Sequence, residues 1–295
     1  MSNTGIRLYT PITAIALVVI GILSLSVHTV MLQVLNIPYP SGYPKNGWVP
    51  FIDNVGILLA AIFIYQFSHE KLRRHSPIAQ ILIMTLLLSA LKEVLIRAPL
   101  MNAIVSSAWM YAFIGNLPAI LTCLCIACFV VVFGPHRLGT LWHKMIAAIL
   151  GAIAIQWIAI PGANALTEFL LPFVPQPRQQ DAILPPYQLN VLVPAYLTYA
   201  EAVIACFILG WLSWWNIGQG PIKRIVLFTI FIMLLKRLLL APIFYIFYSD
   251  LSPIMAVLSM GQFSLEAMAL GLLSGIYISF IYRQPAALII KESTT

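Results

Sequence analysis

Charge is scarce in this chain. Only 8% of its 295 residues are Asp, Glu, Lys or Arg, against 61% hydrophobic, and the mean hydropathy is +0.95. A soluble domain of this length has too little interior to bury that much apolar surface, so the solvent must be lipid. Long polar stretches are missing as well, and the short connections leave no room for a soluble catalytic domain. Alternating ten-residue strands are absent, which excludes a barrel. Helices remain, because each satisfies its own backbone hydrogen bonds inside lipid. No phosphate-binding glycine loop, hydrolase elbow or zinc-protease motif occurs. The polar start MSNTGIRLYTP precedes a run too long for a cleavable leader, so no separate signal peptide is expected.

Cysteine is limited to Cys123, Cys125, Cys128 and Cys206, all within apolar runs, so neither a disulfide framework nor an oxidising compartment follows. On a helix Cys123 points about 200° away from Cys125, which argues against a shared thiolate metal site. His69, His75, His136 and His143 fall between runs, beside Lys and Arg. No metal, cofactor or catalytic nucleophile is therefore expected.

What is present is a series of apolar runs, most of them near or above the roughly 20 residues that cross a hydrocarbon core of about 30 Å. Eight spans are predicted: Pro11 to Leu35, Pro50 to Phe67, Pro77 to Pro99, Ala108 to Phe133, Lys144 to Ile160, Val191 to Trp214, Ile225 to Tyr248 and Ile254 to Ile281. With the N-terminus inside, the cytoplasmic segments hold Arg7, Lys71, Arg73, Arg74, Arg137, Lys144, Lys223, Arg224, Arg283 and Lys291, and the outer loops hold only Lys45 and Arg178. That asymmetry puts both termini in the cytoplasm. It also accounts for the net charge of +7 without nucleic acid, since the cations are dispersed rather than gathered in one arm.

The run from Pro77 to Pro99 is written again from Pro221 to Pro242. At an offset of 144 residues, Tyr43 meets Tyr187, Asn46 meets Asn190, Val49-Pro50 meets Val193-Pro194, Pro77 meets Pro221 and Lys92 meets Lys236. Apolar composition alone does not align prolines and an intramembrane lysine in one register. The expectation is an all-α integral membrane protein, with residues 1–140 and 141–295 forming two four-helix repeats. An even number of spans per unit makes the repeats parallel, related by a pseudo-two-fold axis along the membrane normal. The stretch Ala165 to Val174 reads either as a short interfacial helix or as an ordered coil. Tyr65, Trp211, Trp214 and Trp215 are expected as anchors at the cytoplasmic interface.

Ionisable side chains at membrane depth cost about 2.5 to 3.5 kcal/mol each on insertion scales, so they face protein or water. Here they are Asp53, Lys92, Glu93, Arg97, Glu201, Lys236, Arg237 and Glu266. Lys92 and Lys236 sit roughly 22 Å above the inner ends of their helices, in the outer half of the bilayer. The charges converge on one layer, which argues against a continuous proton wire. Glu93 can pair with Arg97 along one helical turn, and Glu201 and Glu266 are candidates to reach Lys236 or Arg237. Two readings stand: buried ion pairs that join the repeats, or a ligand pocket using the same groups.

Glu93-Val-Leu-Ile-Arg97 after Lys92 resembles the Glu-Glu-x-x-x-Arg motif of the CAAX-type intramembrane proteases, but a lysine stands in place of the first glutamate. That family also needs histidines in later spans, and the one within a predicted span is His28, in the first. The leading expectation is a transporter- or permease-like protein of the bacterial inner membrane, receiving an anionic or zwitterionic solute or a lipid headgroup from outside. Lys92 and Lys236 would hold its negative group, with Arg97 and Arg237 beside them and Glu93, Glu201 and Glu266 as counter-ions. A sensor or partner subunit, bound to another membrane protein or a second copy, is the alternative, and an intramembrane enzyme is third.

Overall fold

Apolar sequence in lipid has helix as its main outlet, and among the described residues all regular structure is helical. The computed structural model describes residues 10–42, 47–106, 108–134, 139–176 and 187–282. The chain forms α1 (Thr10–Gln33), α2 (Trp48–Leu72), α3 (Pro77–Leu91), α4 (Arg97–Ser106), α5 (Trp109–Gly115), α6 (Leu117–Val132) and α7 (Leu141–Ala154). A π-helical turn (Ile155–Ala159) leads into α8 (Ile160–Leu170), followed by α9 (Leu189–Thr198), α10 (Ala200–Ser213), α11 (Pro221–Leu235), α12 (Ala241–Tyr245) and α13 (Pro253–Ile281).

Six helical segments are long and apolar enough to cross a membrane: Pro11–Gln33, Trp48–Leu72, Trp109–Val132, Leu141–Phe173, Leu189–Ser213 and Pro253–Ile281. The chain is thus an α-helical integral membrane protein in a lipid bilayer. The expected spans Pro77 to Pro99 and Ile225 to Tyr248 are not continuous helices. α3 and α11 each stop after 15 residues, roughly 22 Å of helix, because the backbone turns left-handed at Glu93 and Arg237.

Two other expectations change. The helix expected to end near Ile160 runs on to Phe173, with Pro161 in the first turn of α8, where its missing N–H costs nothing. Ala165 to Val174 is thus neither a separate interfacial helix nor a coil, but mostly the upper end of this segment, the end at which α1 finishes and α2 begins. Tyr65 and Trp214 are buried rather than interfacial. Tyr65 donates to Gln80 Oε1 at 2.5 Å, and Trp214 lies edge-on to Phe228 at 6.1 Å between centroids. The matched residues Tyr43 and Asn46 lie outside the described residues.

α2, α3, α10 and α11 make the centre. Small residues let them approach: Ala60 and Ala61 on α2, and Ala202, Ala205 and Cys206 on α10, are closed to solvent against Leu88, Leu91, Ile232 and Leu235. Around this centre α1 packs on α13 and α8 on α6, α10 on α1 and α7 on α2, α3 on α6 and α11 on α13, and α3 on α10 and α11 on α2. Apolar residues at four-residue spacing, Ile78, Leu82 and Leu86 on α3, remain exposed as a lipid-facing stripe.

A close approach of one helix to the backbone of another tests this packing. A Cβ on Gly271 of α13 would lie 2.9 Å from Thr229 Cα, in the backbone of α11. Gly271→Ala is expected to destabilise the protein by about 1–3 kcal/mol and lower its thermal midpoint in detergent. Gly162→Ala on α8, where a Cβ meets nothing within 4 Å, should leave the midpoint unchanged or raise it.

Candidate functional site

The two breaks carry the chemistry. Lys92 ends α3 with φ −83 and ψ 2, and Lys236 ends α11 with φ −83 and ψ −2. Glu93 follows with φ 61 and Arg237 with φ 62. Glu93 N donates to Ala90 O at 2.9 Å and Val94 N to Ser89 O at 3.0 Å; Arg237 N donates to Leu234 O at 3.0 Å and Leu238 N to Met233 O at 2.8 Å. Each is the paired-bond helix stop that normally uses glycine in the left-handed position. A side chain there costs about 1–2 kcal/mol, so glutamate and arginine are held by what they touch.

Glu93 is held by cations from two directions. Its carboxylate accepts from Arg97 Nε at 2.7 Å and pairs with the Lys236 ammonium. Lys236 Nζ also donates to Leu91 O at 3.3 Å, a carbonyl at the C-terminus of α3 that has lost its helical partner, where a cation is favoured. The charged residue of one break therefore closes the other. Beneath them Tyr199 is fully buried, its ring 5.2 Å from the Arg97 guanidinium carbon and 5.8 Å from Lys236 Nζ. Arg97 Nη1 donates to Ala195 O at 2.7 Å, sharing that carbonyl with Tyr199 N at 3.2 Å.

Glu201 does not pair with Lys236 or Arg237. Its two oxygens accept from Ile96 N at 2.7 Å and Arg97 N at 3.1 Å, capping the start of α4. A carboxylate suits the positive end of a helix. Nor does Glu266 pair with a cation: it is 4% exposed, and its partner is the Tyr199 hydroxyl.

At the other break the matching residue has the opposite sign. Arg237 Nη2 donates to Asn54 Oδ1, and Asn54 Nδ2 donates to Gln156 Oε1 at 2.7 Å, inside the π-helical turn. Lys92 lies within electrostatic reach of Arg237, Lys236 and Asp53, and its ammonium makes no hydrogen bond or ion pair with a described residue. Two cations thus lie within electrostatic reach of each other where the first break has a cation paired with an anion.

A cavity adjoins each break. One, of about 700 Å³, is lined by Asp53, Asn164, Thr167, Glu168, Lys236 and Arg237 among others. The second, of about 680 Å³, takes in Lys92, Glu93, Arg97, Lys236 and Glu266 together with His28 and Tyr39. Six of the seven expected site residues therefore border a cavity, and Glu201 supports the wall. Phe263 stacks on His28 at 4.5 Å and meets Tyr39 edge-on at 5.4 Å. Burial raises the phenol pKa of Tyr39 and of Tyr187, both outside the spans, so both are neutral hydrogen-bonding groups at physiological pH. Sequence reasoning left Asn54, Gln156, Tyr39 and Phe263 out of the site. A polar amide within an apolar run was the available signal for the first two.

Removing one partner of a buried ion pair costs about 3–5 kcal/mol, whereas replacing both with apolar groups is often nearly neutral. Glu93→Gln is therefore expected to lower thermal stability in detergent by an amount in that range. The double variant Glu93→Gln, Lys236→Met should recover part of the loss; costs that simply add would mean that the two residues are not coupled. No protein-family model, curated protein or solved structure matches this chain, so the functional reading rests on this geometry.

Proposed function

We propose that this is a transporter- or permease-like protein that receives an anionic or zwitterionic solute, or a lipid headgroup, in the cavities beside its two helix breaks. The observation that carries the reading is the Lys92 ammonium at the wall of the second cavity, without a hydrogen bond or ion pair to a described residue, since a cation at membrane depth calls for an anion. Lys236, committed to Glu93 and Leu91 O, serves as a wall rather than as the ligand's hand. Asp53 and Glu168 at the first cavity, and Glu266 at the second, are the groups for the cationic end of a zwitterion.

The architecture proposed is eight crossings, with α3–α4 and α11–α12 each completing one across its break. Residues 1–140 and 141–295 are the two parallel repeats. Matched helix stops at Glu93 and Arg237, 144 residues apart, support this, as do packing partners that interchange when the halves are exchanged. The Lys and Arg asymmetry supports cytoplasmic termini in a bacterial inner membrane. Discontinuous helices in corresponding positions are where repeat-built transporters place their sites.

The test is ligand stabilisation of the purified protein by inorganic phosphate, succinate, glycine and phosphatidylglycerol nanodiscs. A ligand at one hundred times its Kd adds about 2.7 kcal/mol. Lys92→Ala is expected to abolish the shift and Lys92→Arg to retain it. Flux of the same ligand into proteoliposomes, lost in Lys92→Ala, would establish transport. Absence of flux under every gradient, together with a copurifying membrane partner, would establish the subunit reading instead.

A further inference from the structure

The carboxylates around the breaks have different occupations. Glu93 is shared by Lys236 and Arg97, Glu201 is held by two backbone amides, and Asp53 faces the other cavity. Glu266, buried at the second cavity, has only a neutral partner, the Tyr199 hydroxyl, and no ion pair with a described residue. At the same cavity His28 lies against Gln262, another neutral partner. A buried carboxyl whose neighbours are neutral, at a cavity wall, is placed to hold a proton rather than a charge.

We propose that Glu266 is a proton-binding site, and that its deprotonation makes it compete with Glu93 for Lys236, so that opening of the two breaks is coupled to protons. The inference rests on the reading of this cavity as a solute site and names its coupling ion. A carboxyl buried without a counter-ion keeps its proton instead of its charge, and two carboxylates near one cation do not both ionise freely. While Glu266 is protonated, Lys236 stays on Glu93 and joins the breaks, as in this structure. When the O–H bond breaks and the proton passes to water in the cavity, the new carboxylate draws on Lys236 and Arg97, both within electrostatic reach. The charged and titratable groups around this cavity with Glu266 are His28 from α1, Tyr39 from the following loop, Lys92 and Glu93 from the first break, Arg97 from α4, Tyr187 before α9, Tyr196 on α9, Tyr199 from the α9–α10 turn and Lys236 from the second break. On α12, Tyr245 is occupied by Ser41, whose N and O it bonds at 2.9 Å.

Two measurements on the full chain test this. Dicyclohexylcarbodiimide adds a protonated carboxyl across its C=N bond, the acid proton moving to nitrogen, and leaves a stable N-acylurea; paired carboxylates do not react. Peptide mass spectrometry should find the adduct on Glu266 and not on Glu93 or Glu201. Its yield should fall about tenfold per pH unit above the midpoint of the site. Leu238→Cys, at a residue lining both cavities, should react with a charged maleimide faster as pH rises. The excess over the same variant carrying Glu266→Gln should grow with pH. No adduct on Glu266 at any pH, or an adduct on Glu93 in its place, overturns the proton site. Identical pH profiles in the two backgrounds overturn the competition. Neither measurement uses a solute, so the Lys92→Ala result judges the transport reading separately.

Discussion

Inside lipid, a backbone amide or carbonyl that leaves its helix has no water to turn to. The structure answers that constraint at each break with atoms from elsewhere in the bundle. The left-handed turns at Glu93 and Arg237 recover two bonds each. Lys236 covers Leu91 O, and Glu201 covers the amides of Ile96 and Arg97. Charged side chains are needed because a broken helix presents partial charges, negative at the carbonyl end of α3 and positive at the amide start of α4. Much of the intramembrane charge is thus the complement of exposed backbone, and the same groups that hold the breaks open shape the cavities beside them.

The two breaks share a backbone and differ in charge. Glu93 and Arg237 occupy the same conformation at the same place in their helices, yet one faces Lys236 and the other lies near Lys92. The first arrangement is self-satisfied and closes. At the second, Asn54 holds Arg237 and Asp53 lies within reach of Lys92. The asymmetry separates a junction closed by an ion pair from one held by a chain of amide hydrogen bonds through Asn54 to Gln156.

Much of the fold could be read from the sequence, and the site only in part. Apolar run length located the helices, and the repeated lysine pointed to Lys92 and Lys236, which do end α3 and α11. The breaks themselves were hidden, because the residues that turn left-handed are Glu93 and Arg237, with neither glycine nor proline to announce them. Residue spacing gave depth but not direction. Glu201 and Lys236 stand at similar depth, yet Glu201 points to the start of α4 and Lys236 to Glu93. Pro161-Gly162 read as the start of a loop, although proline in a first helical turn is compatible with continuation. The polar links Asn54–Gln156 and Tyr65–Gln80 join distant spans, and no local pattern pairs them.

Lys236 and Leu238 border both cavities, so the second break is the wall between them. A change at that wall alters both spaces at once. Its conformation is strained at Arg237, at a cost of order 1–3 kcal/mol, and is held from outside by the Glu93 pair and by Asn54. Strain opposed by a few charged contacts is what a two-position element would require: loss of one contact is comparable in energy to what the backbone regains by relaxing. A solute anion at Lys92 would weigh on one side of that balance and the charge of Glu266 on the other. Coupling between the cavities would then need no path longer than the wall they already share.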